Sequence, residues 1–138
     1  MSAIDELFDR TRAEDRAALV GYLPAGYPDK ATSIAAIEAM IDGGVDLVEV
    51  GLPYSDPVMD GAVIQAAVSQ ALAAGTRVSD VFDVVCASAS RVPTVVMTSW
   101  HPVERFGVSQ FSAALADAGQ QHLRDRPGEP AVSQLTLA

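Results

Sequence analysis

A short apolar run, then a loop rich in Pro and Gly, then an amphipathic helical stretch: this order occurs three times and limits the chain more than anything else in it. The runs are Ala17 to Leu23, Val45 to Val50 and Thr94 to Thr98. Each reads as a buried strand because its apolar residues follow one another without the polar alternation of a half-exposed sheet. Between them, residues 30–42 carry Ile34, Ile37, Met40 and Ile41 at helical spacing and stop at Gly43-Gly44. Residues 62–74 place Ile64, Ala67, Val68, Ala71 and Leu72 on one face, and residues 78–90 do the same with Val81, Val84 and Val85. A further helix is expected over 103–118, with Phe106, Phe111 and Leu115 inside. Ahead of the first run, Ser2 and Asp5 form a capping-box pair that opens a short helix over 2–13. The result is an N-terminal helix followed by about three βα units. This is an α/β class with a parallel sheet. Periodicity alone fits a (β/α)₈ barrel and an open doubly wound sheet equally.

After Gly119 the character changes. Residues 120–130 hold two prolines and four charges with neither helical nor strand period, where a fourth apolar strand would be due. The reading is therefore 1–119 as a partial α/β domain and 120–138 as a divergent, disordered tail.

Composition excludes several classes. The chain is 49% hydrophobic and carries a net charge of −9, with nine scattered Lys and Arg. That argues against binding a nucleic-acid backbone, which needs clustered cations. One cysteine, Cys86, rules out an internal disulfide. No apolar stretch reaches the roughly 18–20 residues of a membrane span, and the charged N-terminus lacks a secretory apolar run. A cytoplasmic location without membrane contact is the expectation.

In parallel βα architectures, ligands meet the carboxyl ends of the strands. The most informative such end is Leu47-Val48-Glu49-Val50-Gly51-Leu52-Pro53-Tyr54-Ser55-Asp56-Pro57-Val58-Met59-Asp60-Gly61. Glu49 lies among apolar neighbours, where a carboxylate is costly to bury unless paired or protonated, an environment suited to a general acid or base. Asp60 lies eleven positions on, at the far end of a loop that can return over the strand ends. A purely structural reading competes: Glu49 satisfied by a backbone donor, Asp60 capping the helix that follows.

The segment from Glu49 to Gly61 resembles the signature of tryptophan synthase α subunits, a long and unusual motif. Leu19 to Pro28 is similar to that family's first strand and loop, Gly61 to Ala67 to the start of its second helix, and Pro93 to Gly107 to its third strand and loop. The resemblance covers about residues 1–119. It implies the N-terminal part of a (β/α)₈ TIM barrel, incomplete here, and a lyase that cleaves indole-3-glycerol phosphate to indole and glyceraldehyde 3-phosphate for tryptophan biosynthesis. By the same resemblance Glu49 is the acid–base residue, and Asp60 holds the indole N–H and stabilises positive charge in the ring. Tyr22 and Met97 line the indole pocket. Pro53 and Asp56 face a partner β subunit, in an α₂β₂ complex, to whose pyridoxal phosphate site the indole passes. This subunit itself is implied to use no cofactor and no metal.

The chain departs from the family pattern in three places. Ala62 stands where Pro is usual, a small change at a first helical turn. Ser99 and His101 stand where Tyr and Asn are common, which thins the support around Asp60; His101 itself reads as a solvated loop side chain. The polar tail stands where a fourth strand would begin, as a frameshift would produce. Without the later strands and their phosphate-binding loops, little turnover is expected of such a chain alone. The alternatives are a non-catalytic fragment that binds the β subunit, or another phosphate-handling barrel enzyme.

Overall fold

The computed structural model describes residues 2–120, so the tail expected over 120–138 lies outside the described residues from position 121 onward. Helix α1 spans Ala3–Ala13. Ser2 caps it reciprocally with Asp5: the Asp5 N–H donates to Ser2 Oγ at 3.1 Å and the Ser2 N–H to Asp5 Oδ2 at 3.0 Å. Each bond satisfies an amide that the first helical turn leaves over.

Strand β1 (Val20–Pro24) leads to α2 (Lys30–Asp42), capped by Asp29, whose carboxylate accepts from the Thr32 N–H at 2.8 Å. Strand β2 (Leu47–Gly51) leads to α3 (Ala62–Ala73) and α4 (Val78–Ala89). Strand β3 (Thr94–Met97) leads to α5 (Trp100–Phe106) and α6 (Val108–Gln120). Two expectations need correction. The first strand begins at Val20 and excludes Ala17 to Leu19, because Asp46 takes over that segment. Its Oδ2 accepts from the Leu19 N–H at 2.9 Å and from Arg16 Nη1 at 2.6 Å. The helix expected over 103–118 is two helices, broken where Gly107 adopts φ +97°, a conformation that ends helices and favours glycine.

The three strands are parallel, in the order β1-β2-β3. Register sets Tyr22, Glu49 and Val95 side by side, and two residues further on Pro24, Gly51 and Met97. Alternation sends Val48, Val50 and Val96 to the opposite face, where they pack with Ile37, Ile41, Val81, Val84, Val85 and Phe111 from the helices. Each such fully buried side chain stabilises the fold by roughly 1.5–3 kcal/mol relative to exposure. Phe82, Phe106 and Phe111 meet edge to face with centroids 5.4–6.0 Å apart, tying α4 to α5 and α6. Helix α3 does not join that layer. It returns over β1, and Thr76, just beyond it, packs on Gly26, just beyond β1. Helices α2, α4, α5 and α6 therefore cover one face, and the face bearing Glu49 looks the other way. Among the described residues no helix is long and apolar enough to cross a membrane.

Candidate active site

The second face presents its polar groups near the carboxyl end of the sheet. Glu49 is in the middle of β2, half-buried, with fully buried Val48 and Val50 as chain neighbours. Its register partner on β1 is Tyr22. The Tyr22 ring leans diagonally across β2 onto the bare Cα of Gly51. A methyl group built there would meet the Tyr22 hydroxyl and lie 2.9 Å from its Cζ. A glycine inside a strand often marks such a close approach. On the far side of Gly51 sits its β3 partner, half-buried Met97, whose carbonyl accepts from the Leu52 N–H at 2.9 Å.

Asp60 arrives from the loop after β2. The loop is shaped by two short bonds, Val58 N–H to Asp56 O at 2.9 Å and Asp60 N–H to Pro57 O at 3.0 Å. Gln65 then reaches back from α3 and donates Nε2 to the Asp60 carbonyl at 2.8 Å. The Asp60 carboxylate is left for the site. Burial first, then the charges of Asp60 and Glu49 and the neighbouring Tyr54, push the Tyr22 phenol up to about 12. Tyr22 leans toward Gly51, the last residue of β2, and the loop that carries Asp60 leaves β2 at that same end. Tyr54 is raised too, by burial first and then by Asp60 and Asp56.

Neither half of the purely structural reading holds. The N-cap of α3 is Gly61, so Asp60 stands outside the cap. Among the described residues no backbone or side-chain group hydrogen-bonds the Glu49 carboxylate, the Asp60 carboxylate or the Tyr22 hydroxyl. Two carboxylates and a neutral phenol at the mouth of a parallel sheet can exchange a proton with a ligand and stabilise positive charge on it.

The other singled-out residues lie on the loop after β2 and on α3 and α5. Pro53 is buried at the root of the loop, whereas Asp56 is exposed at its turn. Next to Asp56 the loop displays Val58 and Met59, 71% and 90% exposed, and α3 adds Val63 at 82%. Ser99 caps α5 without a side-chain bond, and His101 is exposed on that helix. Ala62 is the first residue of α3. Gly51 and Tyr54 were passed over by the sequence reading. The glycine at a strand end could have signalled a close approach, but its partner depends on register.

The family model described as "Tryptophan synthase alpha chain" matches residues 8–131. A tryptophan synthase alpha chain from Nocardia farcinica is 58% identical over 119 residues, covering 86% of this chain and 45% of that relative. One from Salinispora arenicola is 55% identical over 120 residues with the same coverage. Among solved structures, tryptophan synthase from M. tuberculosis in its aminoacrylate-bound form superposes with a TM-score of 0.83 at 50% identity, covering 86% of this chain and 49% of that one. The alpha subunit from Legionella pneumophila reaches 0.81 at 30% identity, covering 86% and 47%. The chain spans about half the length of the relatives it matches. Its α/β architecture is that of the N-terminal part of a (β/α)₈ barrel.

Proposed function

This chain belongs to the tryptophan synthase alpha chain family, and from that membership we propose that it carries the acid–base portion of a lyase site for indole-3-glycerol phosphate. The reaction is a retro-aldol cleavage. Glu49 delivers a proton to the indole ring carbon that bears the glycerol chain. That carbon becomes tetrahedral and the ring nitrogen takes on positive charge. Asp60 accepts the indole N–H and stabilises that charge. The glycerol hydroxyl next to the ring then gives up its proton to the Glu49 carboxylate, its oxygen forms the carbonyl of glyceraldehyde 3-phosphate, and the electrons of the broken carbon–carbon bond restore the aromatic ring. Glu49 ends as it began, and no redox equivalent is consumed. Tyr22 and Met97 flank the ring. We take the chemistry to need no cofactor in this subunit, and the protein to work in the cytoplasm.

The observation that supports this reading is geometric: Glu49 pairs in register with Tyr22, whose ring leans over Gly51 toward the end of β2 from which the Asp60 loop departs. A closed barrel takes more strands than the three described here, and phosphate binding remote from the reacting bond helps hold that bond in place. The chain alone is therefore expected to release little indole. The test supplies the remainder of a related alpha chain as a separate polypeptide, together with the β subunit. Indole release above the background of that remainder, lost in E49Q, supports the reading; no release attributable to the chain overturns it.

A second reading rests on a different observation. The exposed Asp56, Val58 and Met59 form a polar and apolar edge at the loop turn, a composition suited to a protein contact. On this reading the loop binds the β subunit whether or not substrate is turned over. Capture of the β subunit by the chain, weakened by D56A and M59A, tests it separately from catalysis.

A further inference from the structure

Within the lyase reading above, Tyr22 has so far only a wall to form, yet its hydroxyl occupies a particular place. The ring starts on β1 opposite Glu49 and crosses β2 toward the strand's carboxyl end, where Gly51 has no side chain to block it. The hydroxyl thereby comes to the end of the sheet at which the loop returns with Asp60. No described protein group accepts its proton. We infer that Tyr22 is a positioning residue for Asp60: its hydroxyl, seated on Gly51, donates a hydrogen bond to the Asp60 carboxylate in the substrate complex and fixes that carboxylate toward the indole nitrogen.

Three considerations carry this. Asp60 sits on a loop, and its side chain has no other described group to fix its direction, so its orientation needs an outside partner. The titratable groups near the phenol are Glu49 on β2 and Asp60 and Tyr54 on the loop; the ring leans past its register partner Glu49 to Gly51, where the loop to Asp60 begins. And the phenol remains protonated at neutral pH, so it is a donor there. A donor aimed at an ionised carboxylate is worth more than an ordinary neutral hydrogen bond. Glu49, by contrast, is held by its strand and needs no such help.

Two measurements on the full chain test the proposal. The first is alkaline titration of the phenol absorbance, with Tyr22 isolated as the difference between the unsubstituted chain and Y22F. D60N is expected to lower the Tyr22 midpoint by roughly one pH unit, because removing a nearby negative charge favours phenolate. An unchanged midpoint would mean that the two groups do not sense each other, and the proposal fails. The second is the reconstituted indole-release assay. Y22F, which keeps the ring, is expected to lower kcat roughly tenfold with KM within about twofold. In a D60N background Y22F should have no further effect. An equal loss in both backgrounds overturns the proposal, since the hydroxyl then acts without Asp60. If D60N shifts the titration but the unsubstituted chain releases no indole, it is the lyase reading that falls, and the Tyr22–Asp60 coupling stands.

Discussion

The Tyr22 hydroxyl rests on the Cα of Gly51, so that the ring of one strand fills the space where the next strand carries no side chain. G51A would place a methyl group 2.9 Å from Tyr22 Cζ and 3.1 Å from Cε2, closer than packed carbon atoms sit. Overpacking of this kind costs about 1–3 kcal/mol. Urea unfolding should show that loss in G51A. It should be smaller when G51A is made in a Y22L background, because the leucine leaves the space over residue 51 open. Equal losses in the two backgrounds would mean that the ring does not press on this glycine.

Glu49 and Asp60 are expected to differ in how their loss is felt. E49Q keeps the size of the side chain and removes the transferable proton, so it should lower indole release by roughly 10²- to 10⁴-fold, the range for a general acid–base group. D60N keeps a hydrogen-bond acceptor toward the indole nitrogen but loses its charge. Its cost should be smaller, about a hundredfold, and should fall mainly on kcat. Both variants should melt close to the unsubstituted chain, since neither carboxylate is bonded to a described protein group. A melting temperature that drops sharply in E49Q would return Glu49 to a structural role.

Gly26 and Gly44 separate backbone strain from crowding. Both adopt positive φ, +79° and +100°. A methyl group at Gly44 would meet nothing within 4 Å, whereas at Gly26 it would lie 2.7 Å from Thr76 Cγ2. G44A therefore costs only the backbone penalty, about 1–2 kcal/mol. G26A adds the displacement of Thr76, and with it the seat of α3 over β1, for about 1–3 kcal/mol more. Denaturant midpoints of the two variants decide this. If they are equal, the junction between Gly26 and Thr76 is looser than it looks.

The parts of this architecture that rest on local pattern were legible in the sequence, and the parts that rest on register were not. Ser2 and Asp5 announced α1, and Gly43-Gly44 closed α2 where the periodicity stopped, because capping and helix termination are decided within a few residues. An acid among Val48 and Val50 pointed to Glu49, because burial of a charge is conspicuous in any sequence. The start of β1 was misplaced because Asp46, 27 residues away, claims the Leu19 amide. The break at Gly107 was missed because the apolar spacing of Phe106, Phe111 and Leu115 continues through it. Tyr22 over Gly51 could not be seen at all without knowing that Tyr22 pairs with Glu49 and so stands one diagonal step from Gly51.

The opposite end of the sheet carries a clamp whose behaviour with pH can be worked out. Arg16 grips Asp46 with two parallel bonds, Nη1 to Oδ2 at 2.6 Å and Nη2 to Oδ1 at 2.8 Å, while the Leu19 amide donates to the same carboxylate. Asp46 is only 9% exposed, and Arg10 approaches it to 3.8 Å. The Arg16 guanidinium first, and the Leu19 amide next, hold the Asp46 carboxyl well below the usual carboxylate range, and Asp46 in turn raises Arg16. A carboxyl lowered in the folded state adds stability that is complete above its unfolded value, about 3.9, and is lost as pH falls toward the folded one. R16M removes the bidentate partner and leaves Asp46 with the amide and the more distant Arg10. At neutral pH it should therefore unfold at lower urea than the unsubstituted chain. The gap between the two should narrow as pH drops from about 4 toward about 2, because Asp46 of folded R16M, without the guanidinium, takes up its proton at higher pH than Asp46 of the unsubstituted chain, which stays ionised. Urea midpoints for the pair at neutral pH and at about pH 2.5 test this. A gap that stays constant across that range would mean that Arg16 stabilises the fold through its bond to the Ala17 carbonyl and not through the charge of Asp46.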